Sequence, residues 1–340
     1  MKAAVLTSYG DANKAFTFKE VKKPVIEKNE VLIKVEVFGL NFADVMARRG
    51  LYADAPNLPA ILGYDVVGRV VDSKCNKGKK LIGKKVVAMT RFGGYAEYVK
   101  TNIDGLAIIS EDIDSNKATA LATQYSTAYY SAIECANLFE GSKILIHACA
   151  GGVGTAITQI AKYKKCEVIG LASSKEKCDY LKSIGVDYPI DTSKGDYIKQ
   201  IKSIKKYYKI DASFNAVGGL TFKKDLKILN NGGKLILYGV SSRMKNKKGI
   251  FGTIRLLWNF GLMTPVELLI SSKSIMGVNM LRIADNKPEI LKRCLKNVVD
   301  LTKKGILNPV VGKVFSIDDI DMAHEYLESR KSIGKIVVKI

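Results

Sequence analysis

The pattern of hydrophobic and polar positions changes about one third of the way along the chain. Before about residue 117 the apolar residues occur in short runs, separated by turns rich in Gly, Pro, Asn and Lys, which is typical of β-strands. These runs are KAAVLTS, EVLIKVEVFGL, DVVGRVVDS, KKVVAM and GGYAEYVK. The pattern predicts an antiparallel, barrel-like β-domain.

After about residue 117, helical stretches alternate with short apolar runs. KATALATQYSTAYYSAIECANL, GTAITQIAKYKK and SKEKCDYLKSIG have the helical period, while KILIHA, CEVIGLA, IDASFNAV and GKLILYGV are runs typical of buried parallel strands. This alternation predicts a doubly wound α/β domain. The closing GKIVVKI is a strand without an evident partner there, so it could return to the first domain.

Composition limits the class of protein. A chain of 340 residues exceeds the usual size of one hydrophobic core, and 47% hydrophobic with 26% charged residues is globular. No apolar run has the length of a signal peptide or a membrane span, which favours a cytoplasmic protein. The most apolar segment, residues 250–270, is interrupted by polar residues, so membrane contact is disfavoured but stays open.

Charge and cysteine spacing exclude two further classes. The net charge of +21 comes from 54 Lys and Arg against 33 Asp and Glu, and the lysines are spread along the whole chain. This distribution indicates a solvated basic surface and no nucleic-acid partner. The cysteines, at 75, 135, 149, 166, 178 and 294, form no C-x-x-C pair, which indicates reduced thiols and no structural metal.

The stretch HACAGGVG, residues 147–154, joins a predicted strand to a predicted helix. Glycines here let the N–H groups of Gly151, Gly152 and Val153 approach a pyrophosphate, and Gly154 lets the helix pack against its strand. Cys149 stands where the G-x-G-x-x-G fingerprint has its first glycine. The stretch predicts a dinucleotide site, although an ordinary strand-to-helix turn can read the same way.

The end of the next strand indicates which dinucleotide is bound. Proteins that prefer NAD carry a carboxylate there, whereas this chain has Ser173 and Ser174 followed by Lys177. Charge-assisted hydrogen bonds contribute roughly 1.5–3 kcal/mol each, so one such bond to a 2′-phosphate favours NADPH about tenfold or more. The other interpretation is a plain helix N-cap beside a solvated lysine. We expect NADPH.

Several stretches together resemble the medium-chain dehydrogenase/reductase superfamily, in its zinc-free quinone oxidoreductase branch. They are GLNFADVMARRGLY, PAILGYDVVGRV, HACAGGVG, NAVGG and SIGKIVV, and the C-terminal part is similar to VAT-1-like homologues. The resemblance implies a GroES-like catalytic domain over residues 1–122, a Rossmann cofactor domain over 123–284 and a return to the catalytic domain over 285–340. Nicotinamide and substrate would meet in a cleft between the domains.

The resemblance also implies that zinc is absent. Zinc-dependent relatives bind the metal through a Cys in a G-x-C-x-x-D stretch and a His-Glu pair in a G-H-E stretch. This chain has Asn41 at the first position and Tyr64 with Asp65 at the others, which leaves no tetrahedral N/S set. Hydride transfer from NADPH to a quinone or an α,β-unsaturated carbonyl compound then needs only orientation and hydrogen bonds to the acceptor oxygen.

Three residues match family positions around the reacting groups. Asn41 and Tyr52 match positions facing the nicotinamide or substrate pocket, and Thr127 matches one near the nicotinamide. Each has a simpler interpretation: Asn41 as a turn cap, Tyr52 as a surface aromatic, Thr127 as a helix hydroxyl bonded to its own backbone. Asp44 is expected to anchor the local helix, and no residue is a strong general acid.

The motifs assign the remaining contacts as follows. Asn215, Val217 and Gly218 would close over the nicotinamide ribose, with Tyr238, Gly239 and Ser241 after the following strand; Asn279 and Lys335 are weaker assignments. Of the two histidines, His147 is expected in the core and His324 on the surface. The segment SIMGVNML is the expected homodimer edge of the Rossmann sheet.

Two functions remain open from the sequence. The first is an NADPH-dependent reductase of quinones or enones. The second is a non-catalytic NADPH-binding protein of the VAT-1 or crystallin-like type, acting as a sensor or contacting membrane, lipid or RNA.

Overall fold

The structure, a computed structural model, describes residues 1–204, 209–245, 250–261 and 263–340. The chain divides into two compact units. The first unit is Met1–Ser126 together with Met280–Ile340, and the second unit is Thr127–Asn279. No helix within the described ranges is both long enough and apolar enough to cross a membrane.

The secondary structure is mixed, with strands prevailing in the first part of the chain. The strands are β1 (Lys2–Leu6), β2 (Phe16–Glu20), β3 (Glu30–Leu40), β4 (Ala60–Ile61), β5 (Asp65–Ser73), β6 (Lys85–Met89), β7 (Tyr98–Asn102), β8 (Leu106–Ile108), β9 (Lys143–Ile146), β10 (Glu167–Ala172), β11 (Tyr188–Asp191), β12 (Ile210–Asn215), β13 (Leu229–Leu237), β14 (Ser274–Gly277), β15 (Val311–Ser316) and β16 (Lys335–Lys339). The α-helices are α1 (Ala12–Ala15), α2 (Phe42–Arg48), α3 (Asn76–Lys79), α4 (Ser115–Ala120), α5 (Ser126–Tyr129), α6 (Gly152–Tyr163), α7 (Lys175–Ser183), α8 (Tyr197–Ser203), α9 (Leu220–Ile228), α10 (Ile250–Phe260), α11 (Pro265–Ser271), α12 (Met280–Asn286), α13 (Pro288–Lys303) and α14 (Ile320–Glu328).

The first unit is built around the long strand β3. Its alternate residues Val31, Ile33, Val35 and Val37 are buried, as expected when one face of a strand covers a core. β3 pairs antiparallel with β5, β7 and β16, in a sheet ordered β15-β16-β3-β5-β6-β8, while β2, β1 and β4 form a smaller sheet. The predicted antiparallel β-domain is confirmed, and the last strand does return to it.

The second unit is a parallel sheet of six strands in the order β11-β10-β9-β12-β13-β14. Leu145, Ile169, Ile210 and Leu235 from four of these strands are buried in its core. The predicted doubly wound α/β domain is therefore confirmed. Because the strand order reverses between β9 and β12, the turns that follow these two strands border the crevice where such sheets bind ligands.

The stretch 117–138 is less regular than its helical period predicts. α4 and α5 alternate with two wider π-helical segments, Leu121–Tyr125 and Tyr130–Cys135. Such segments are rare and occur frequently at functional sites. The first of them carries Thr123, whose hydroxyl reaches a buried carboxylate described below.

Candidate functional site

In the first unit, the strand register brings three polar residues together. Asn41 directly follows β3, Asp65 begins β5 and Lys335 begins β16. β3 lies between the other two strands, with Gly39 opposite Asp65 and Leu40 opposite Ile336. Strand pairing therefore places the three side chains at one end of the sheet.

These side chains form a buried cluster. Lys335 and Asp65 are both 0% exposed and form an ion pair. The Lys335 ammonium also donates to Asn41 Oδ1 at 3.0 Å, and Asn41 Nδ2 donates to Asp65 Oδ2 at 2.8 Å. The Thr123 hydroxyl donates to the other carboxylate oxygen of Asp65. A side chain at position 39 would overlap Lys335, so Gly39 makes room for the cluster.

The cluster fixes the orientation of the Asn41 amide. An ammonium group only donates and a carboxylate only accepts, so Oδ1 must face Lys335 and Nδ2 must face Asp65. One N–H of the amide is then left to donate elsewhere. The backbone of Asn41 has the simpler predicted role, since it caps α2 and its N–H donates to Asp44 Oδ2 at 2.8 Å.

Asp44 anchors α2, as predicted, from a position shielded from solvent. Its carboxyl is fully buried, and its Oδ1 has no hydrogen-bond partner within the described ranges. Burial raises the pKa of Asp44 to about 7; the charge of Asp65 adds to the effect, while the Asn41 N–H and the Lys335 charge oppose it. Asp44 therefore exchanges its proton near neutral pH.

Two tyrosines lie beside this region. The rings of Tyr52 and Tyr64 meet edge to face at 6.5 Å, and Tyr64 packs on Phe92 at 4.9 Å. Burial raises the pKa of both phenols, and the charge of Asp44 raises them further, so both stay protonated at neutral pH. Tyr52 is half-buried, and the Tyr64 hydroxyl is buried without a hydrogen-bond partner among the described groups. Both residues are potential hydrogen-bond donors.

The expectation that His324 lies on the surface is wrong. Its ring is 0% exposed, packs 4.8 Å from the ring of Phe16 and has Nε2 3.2 Å from the Tyr95 hydroxyl. Burial lowers the pKa of His324, and the nearby Arg48 charge lowers it further. The signal was in the sequence, since Ile320 and Ala323 place His324 on the apolar face of α14.

In the second unit, the turn between β9 and α6 explains the missing first glycine. The Cys149 thiol points into the core, 3.3 Å from Thr158 Oγ1 and close to Gly170, where a Cβ would lie 2.9 Å from the sulfur. The left-handed backbone conformation falls on Ala148, at φ 48°, so position 149 needs no glycine. Gly154 is indispensable, because a Cβ there would lie 2.6 Å from Cys149 Cα.

The start of α6 has the chemistry of an anion site. Gly151 is the N-cap, and Gly151, Gly152 and Val153 are partly exposed. The first turn of a helix leaves N–H groups without intrahelical acceptors, and the helix dipole favours a negative charge there. The Gly151 N–H already donates to the Ala148 carbonyl at 2.9 Å, so the N–H groups of Gly152 and Val153 are the ones that fit the predicted pyrophosphate.

The predicted 2′-phosphate contacts lie at the start of α7. Ser174 is the N-cap of α7, and its hydroxyl oxygen accepts from the Lys177 backbone N–H at 3.3 Å. Ser174 therefore acts as the plain helix N-cap that the sequence left open. This hydrogen bond uses a lone pair of the hydroxyl oxygen, so the hydroxyl proton can still be donated to a ligand. Ser173 is exposed and Lys177 partly exposed, so both are accessible from solvent.

The predicted turn after β12 is tightly organised. Asn215 Oδ1 accepts from the backbone N–H groups of Val217 and Gly218, both at 2.8 Å. Gly218 and Gly219 have φ values of 68° and 60°, a region that favours glycine. The amide of Asn215 therefore shapes the turn and is not free to reach a ligand.

The turn after β13 packs against the turn after β12. The backbone N–H of Ser241 donates to the Ala216 carbonyl at 3.1 Å. A Cβ on Gly239 would lie 2.9 Å from the same carbonyl oxygen. The Tyr238 hydroxyl donates to the His147 carbonyl at 3.4 Å. The structure thus brings together the turns that the motifs predicted.

Three further predicted contacts belong to other segments of the chain. Thr127 is buried in α5, and Asn279 is partly exposed between β14 and α12. Lys335 has its ammonium group in the ion pair with Asp65. Their assignment to the nicotinamide or the cofactor stays a prediction.

Sequence reasoning missed one functional feature of the second unit. Asp225, on α9, is fully buried and binds both Asn215 and His147, which is itself buried as expected. The available signal was a carboxylate on the apolar stripe of α9, between Phe222 and Leu226. Across residues 1–204, 209–245, 250–261 and 263–340, no three His, Cys, Asp or Glu side chains come together as a metal site.

Two family models match the chain. The alcohol dehydrogenase GroES-like domain matches residues 27–111, and the zinc-binding dehydrogenase domain matches residues 152–296. Between them they cover most of the first unit's β-structure and most of the parallel sheet.

Known relatives cover nearly the whole chain. The synaptic vesicle membrane protein VAT-1 homologue of Danio rerio is 28% identical over 338 residues, covering 99% of this chain and 69% of the relative. The crystal structure of the human VAT-1 homologue-like protein is 25% identical with a TM-score of 0.84, covering 100% of this chain and 98% of that one. The quinone oxidoreductase of Thermus thermophilus, also crystallised with NADPH, is 26% identical with a TM-score of 0.81, covering 100% of both chains.

Proposed function

Because this chain belongs to the medium-chain dehydrogenase/reductase superfamily, in the VAT-1-like quinone oxidoreductase branch, we propose that it is an NADPH-dependent reductase. Its acceptor is a small electron-poor molecule, either a quinone or an α,β-unsaturated carbonyl compound. The reaction proceeds without zinc.

The observation that carries this proposal is the environment of Asn41. In zinc-dependent relatives this position holds a cysteine ligand, whereas here the Asn41 amide binds Lys335 and Asp65. A zinc ion would have to share Asp65 with an ammonium group that lies within hydrogen-bond reach of it. The donor set lacks both thiolate and imidazole. The residues therefore do not fit zinc.

The start of α7 supports NADPH over NADH. Ser173 and the Ser174 hydroxyl can donate to a 2′-phosphate, and Lys177 supplies a positive charge one turn into the helix. β10 ends at Ala172 without a carboxylate of its own; Asp191 lies opposite Ala172 in β11, and Glu176 stands in the first turn of α7. The preference for NADPH therefore rests on the serine hydroxyls and the Lys177 charge. Titration of the purified protein with each dinucleotide tests the preference, since tighter binding of NADH contradicts it.

In this reaction the chain has only to orient the two reactants and to stabilise the charge that develops on the acceptor. When bound, NADPH supplies a hydride, and the acceptor moves the resulting charge onto its own oxygen. The free N–H of Asn41 and the Tyr52 hydroxyl stabilise that oxygen by donating hydrogen bonds to it. Solvent then supplies one proton, so that each NADPH and one proton give NADP⁺ and the reduced acceptor.

The proposal is tested by NADPH oxidation with a panel of quinones and enones. We expect turnover above background for the wild-type chain with at least one acceptor class. Asn41→Ala combined with Tyr52→Phe should abolish turnover while NADPH binding persists. Failure of the whole panel, with NADPH still bound, contradicts the reductase.

That last outcome would favour the second candidate, a non-catalytic NADPH-binding protein that contacts membranes. The supporting observation is an exposed apolar face on α10 and α11. Trp258 is 82% exposed, and Leu269 and Ile270 are each 79% exposed. Flotation with anionic and neutral lipid vesicles tests this candidate, and Trp258→Ser should reduce flotation while leaving NADPH binding unchanged.

We further propose a homodimer formed through β14. This strand is the last in the six-stranded sheet, so one of its edges is unpaired in a single copy. Ser274, Ile275 and Met276 are only partly exposed. The Val278 N–H donates to the Leu237 carbonyl of β13, so by the alternation along a strand the Ile275 N–H points to the unpaired edge. Light scattering of the wild-type chain and of Ile275→Pro tests the interface, because proline removes that edge donor. A monomeric wild-type chain contradicts it.

A further inference from the structure

One carboxylate in the core of the second unit accepts hydrogen bonds from four side chains. Asp225 accepts from Asn215 Nδ2 at 2.6 Å, the Tyr197 hydroxyl at 2.7 Å, the Ser213 hydroxyl at 2.8 Å and His147 Nε2 at 2.9 Å. Asp225, Ser213 and Asn215 are all fully buried. A buried carboxylate is costly unless its oxygens are satisfied, and here both oxygens are.

Two of the four donors lead directly to the turns beside the crevice. Asn215 ends β12, and its Oδ1 accepts from the N–H groups of Val217 and Gly218. His147 follows β9 and immediately precedes the turn that leads into α6. Asp225 thus links the turn proposed to hold the pyrophosphate with the turn proposed to hold the nicotinamide ribose.

The chemistry requires an acceptor at position 225. Because a carboxylate only accepts, it forces Nδ2 of Asn215 to face it and leaves Oδ1 to the turn. An amide at position 225 would present an NH₂ group to one of four donors. Asn215 could then rotate, and its Oδ1 would leave the N–H groups of Val217 and Gly218.

We propose that Asp225 is a positioning residue for dinucleotide binding, holding the two turns in one arrangement through Asn215 and His147. The inference rests on the proposed function, because it assumes that these turns bind NADPH. Asp225 itself touches no ligand. Asn215 holds the turn after β12 directly through two N–H groups, whereas His147 only precedes the turn into α6. The effect of Asp225 should therefore be largest on the part of the dinucleotide that meets the turn after β12.

The chain offers a matched control on β12, the strand that ends at Asn215. Asp211 lies at the other end of β12, where its Oδ2 accepts from the Lys143 N–H at 2.8 Å and its Oδ1 accepts from Asn230 Nδ2 at 2.9 Å. Asp211→Asn makes the same chemical change in the same unit, away from both turns. It reports how much a loss of stability alone affects binding.

The experiment is calorimetric titration of the full-length chain with NADPH and with adenosine 2′,5′-bisphosphate, which lacks the nicotinamide half. In Asp225→Asn we expect the Kd for NADPH to rise roughly tenfold, the size expected for one lost hydrogen bond in a buried network. The Kd for the bisphosphate should stay within about twofold. Asp211→Asn should leave both values within the same range.

Equal weakening of the two ligands in Asp225→Asn, or no weakening of NADPH, overturns the inference. If the wild-type chain binds neither ligand, the proposed function fails as well, which separates the two failures. If Asp225→Asn does not fold, a second pair of variants tests the inference. Tyr197→Phe removes a donor that leads to neither turn and should leave NADPH binding intact, whereas Asn215→Ala should weaken it; equal effects contradict the inference.

Discussion

Asp65 and Lys335, 270 residues apart in the chain, form a fully buried ion pair in the first unit. Taking two charges out of water costs several kcal/mol per ion, and the attraction offsets this only when further hydrogen bonds satisfy the remaining atoms. Asn41 and Thr123 supply those bonds. These hydrogen bonds stabilise the pair as a whole. Either charge without the other would be buried and uncompensated.

Removing one partner should therefore be strongly destabilising. We expect Lys335→Met or Asp65→Asn to lower the free energy of unfolding by about 3–5 kcal/mol, because each leaves an uncompensated buried group. The double variant should lose clearly less than the sum of the single losses. Urea denaturation of the four proteins measures the coupling.

The control for this cycle is Lys339→Met, which changes an exposed lysine on the same strand. It should shift stability by less than about 0.5 kcal/mol. Additive losses in the Asp65 and Lys335 variants would contradict a coupled pair.

Asp44 should make the protein less stable as pH rises towards neutrality. Its pKa is raised from 3.8 to about 7, so the stabilising contribution is fully present below 3.8 and is lost as pH rises through 7. Relative to Asp44→Asn, the wild-type chain should lose roughly 3 kcal/mol of unfolding free energy between pH 5 and pH 8. Parallel stability curves for the two proteins would show that Asp44 ionises normally.

His324 should have the opposite effect in acid. Its folded pKa lies well below 6.5, so the unfolded chain binds a proton that the folded chain rejects, and stability falls as pH falls below 6.5. Between pH 7 and pH 5 we expect the wild-type chain to lose unfolding free energy relative to His324→Gln, which has no imidazole to protonate. The comparison uses chemical denaturation at each pH, and a variant that loses as much as the wild type would refute a buried neutral imidazole.

Restoring the missing fingerprint glycine should not improve cofactor binding. Cys149→Gly removes a side chain packed against Thr158 and Gly170, so we expect a loss of about 2 kcal/mol in stability and an unchanged Kd for NADPH. Gly154→Ala should weaken NADPH binding, because its Cβ meets backbone atoms of Cys149 that cannot shift cheaply.

Gly277→Ala is the matched control for these substitutions, since a Cβ at position 277 meets nothing within 4 Å. Its affinity for NADPH, measured by the same titration, should equal that of the wild type. Tighter binding by Cys149→Gly would mean that position 149 does line the cofactor site.

Local sequence patterns predicted most of the fold. The runs EVLIKVEVFGL and DVVGRVVDS coincide with β3 and β5, because buried apolar positions between turn residues leave few alternatives. The turns at Gly154 and Gly218 were predictable because close approach or a positive φ requires glycine there. Backbone constraints of this kind depend on residues close together in the sequence, so a local pattern reveals them.

The polar networks were not predictable in the same way. Lys335 meets Asp65 only because β16 and β5 both pair with β3, and that register is set by contacts far apart in sequence. Asp225 looks locally like one polar residue on a helix, although it joins side chains from β12, from the residue after β9 and from a second helix. His324 was mispredicted because a polar residue type outweighed the helical period around it.

Isotope transfer tests the central claim, that this chain passes a hydride from NADPH to an electron-poor acceptor. The purified full-length chain is incubated with an enone and NADPH that carries deuterium at both C4 positions, and the product is analysed by mass spectrometry. We predict one deuterium per reduced molecule, at the β-carbon, and none above background with the Asn41→Ala/Tyr52→Phe variant. Unlabelled enone product, or no reduction of any enone or quinone while NADPH stays bound, would contradict the account.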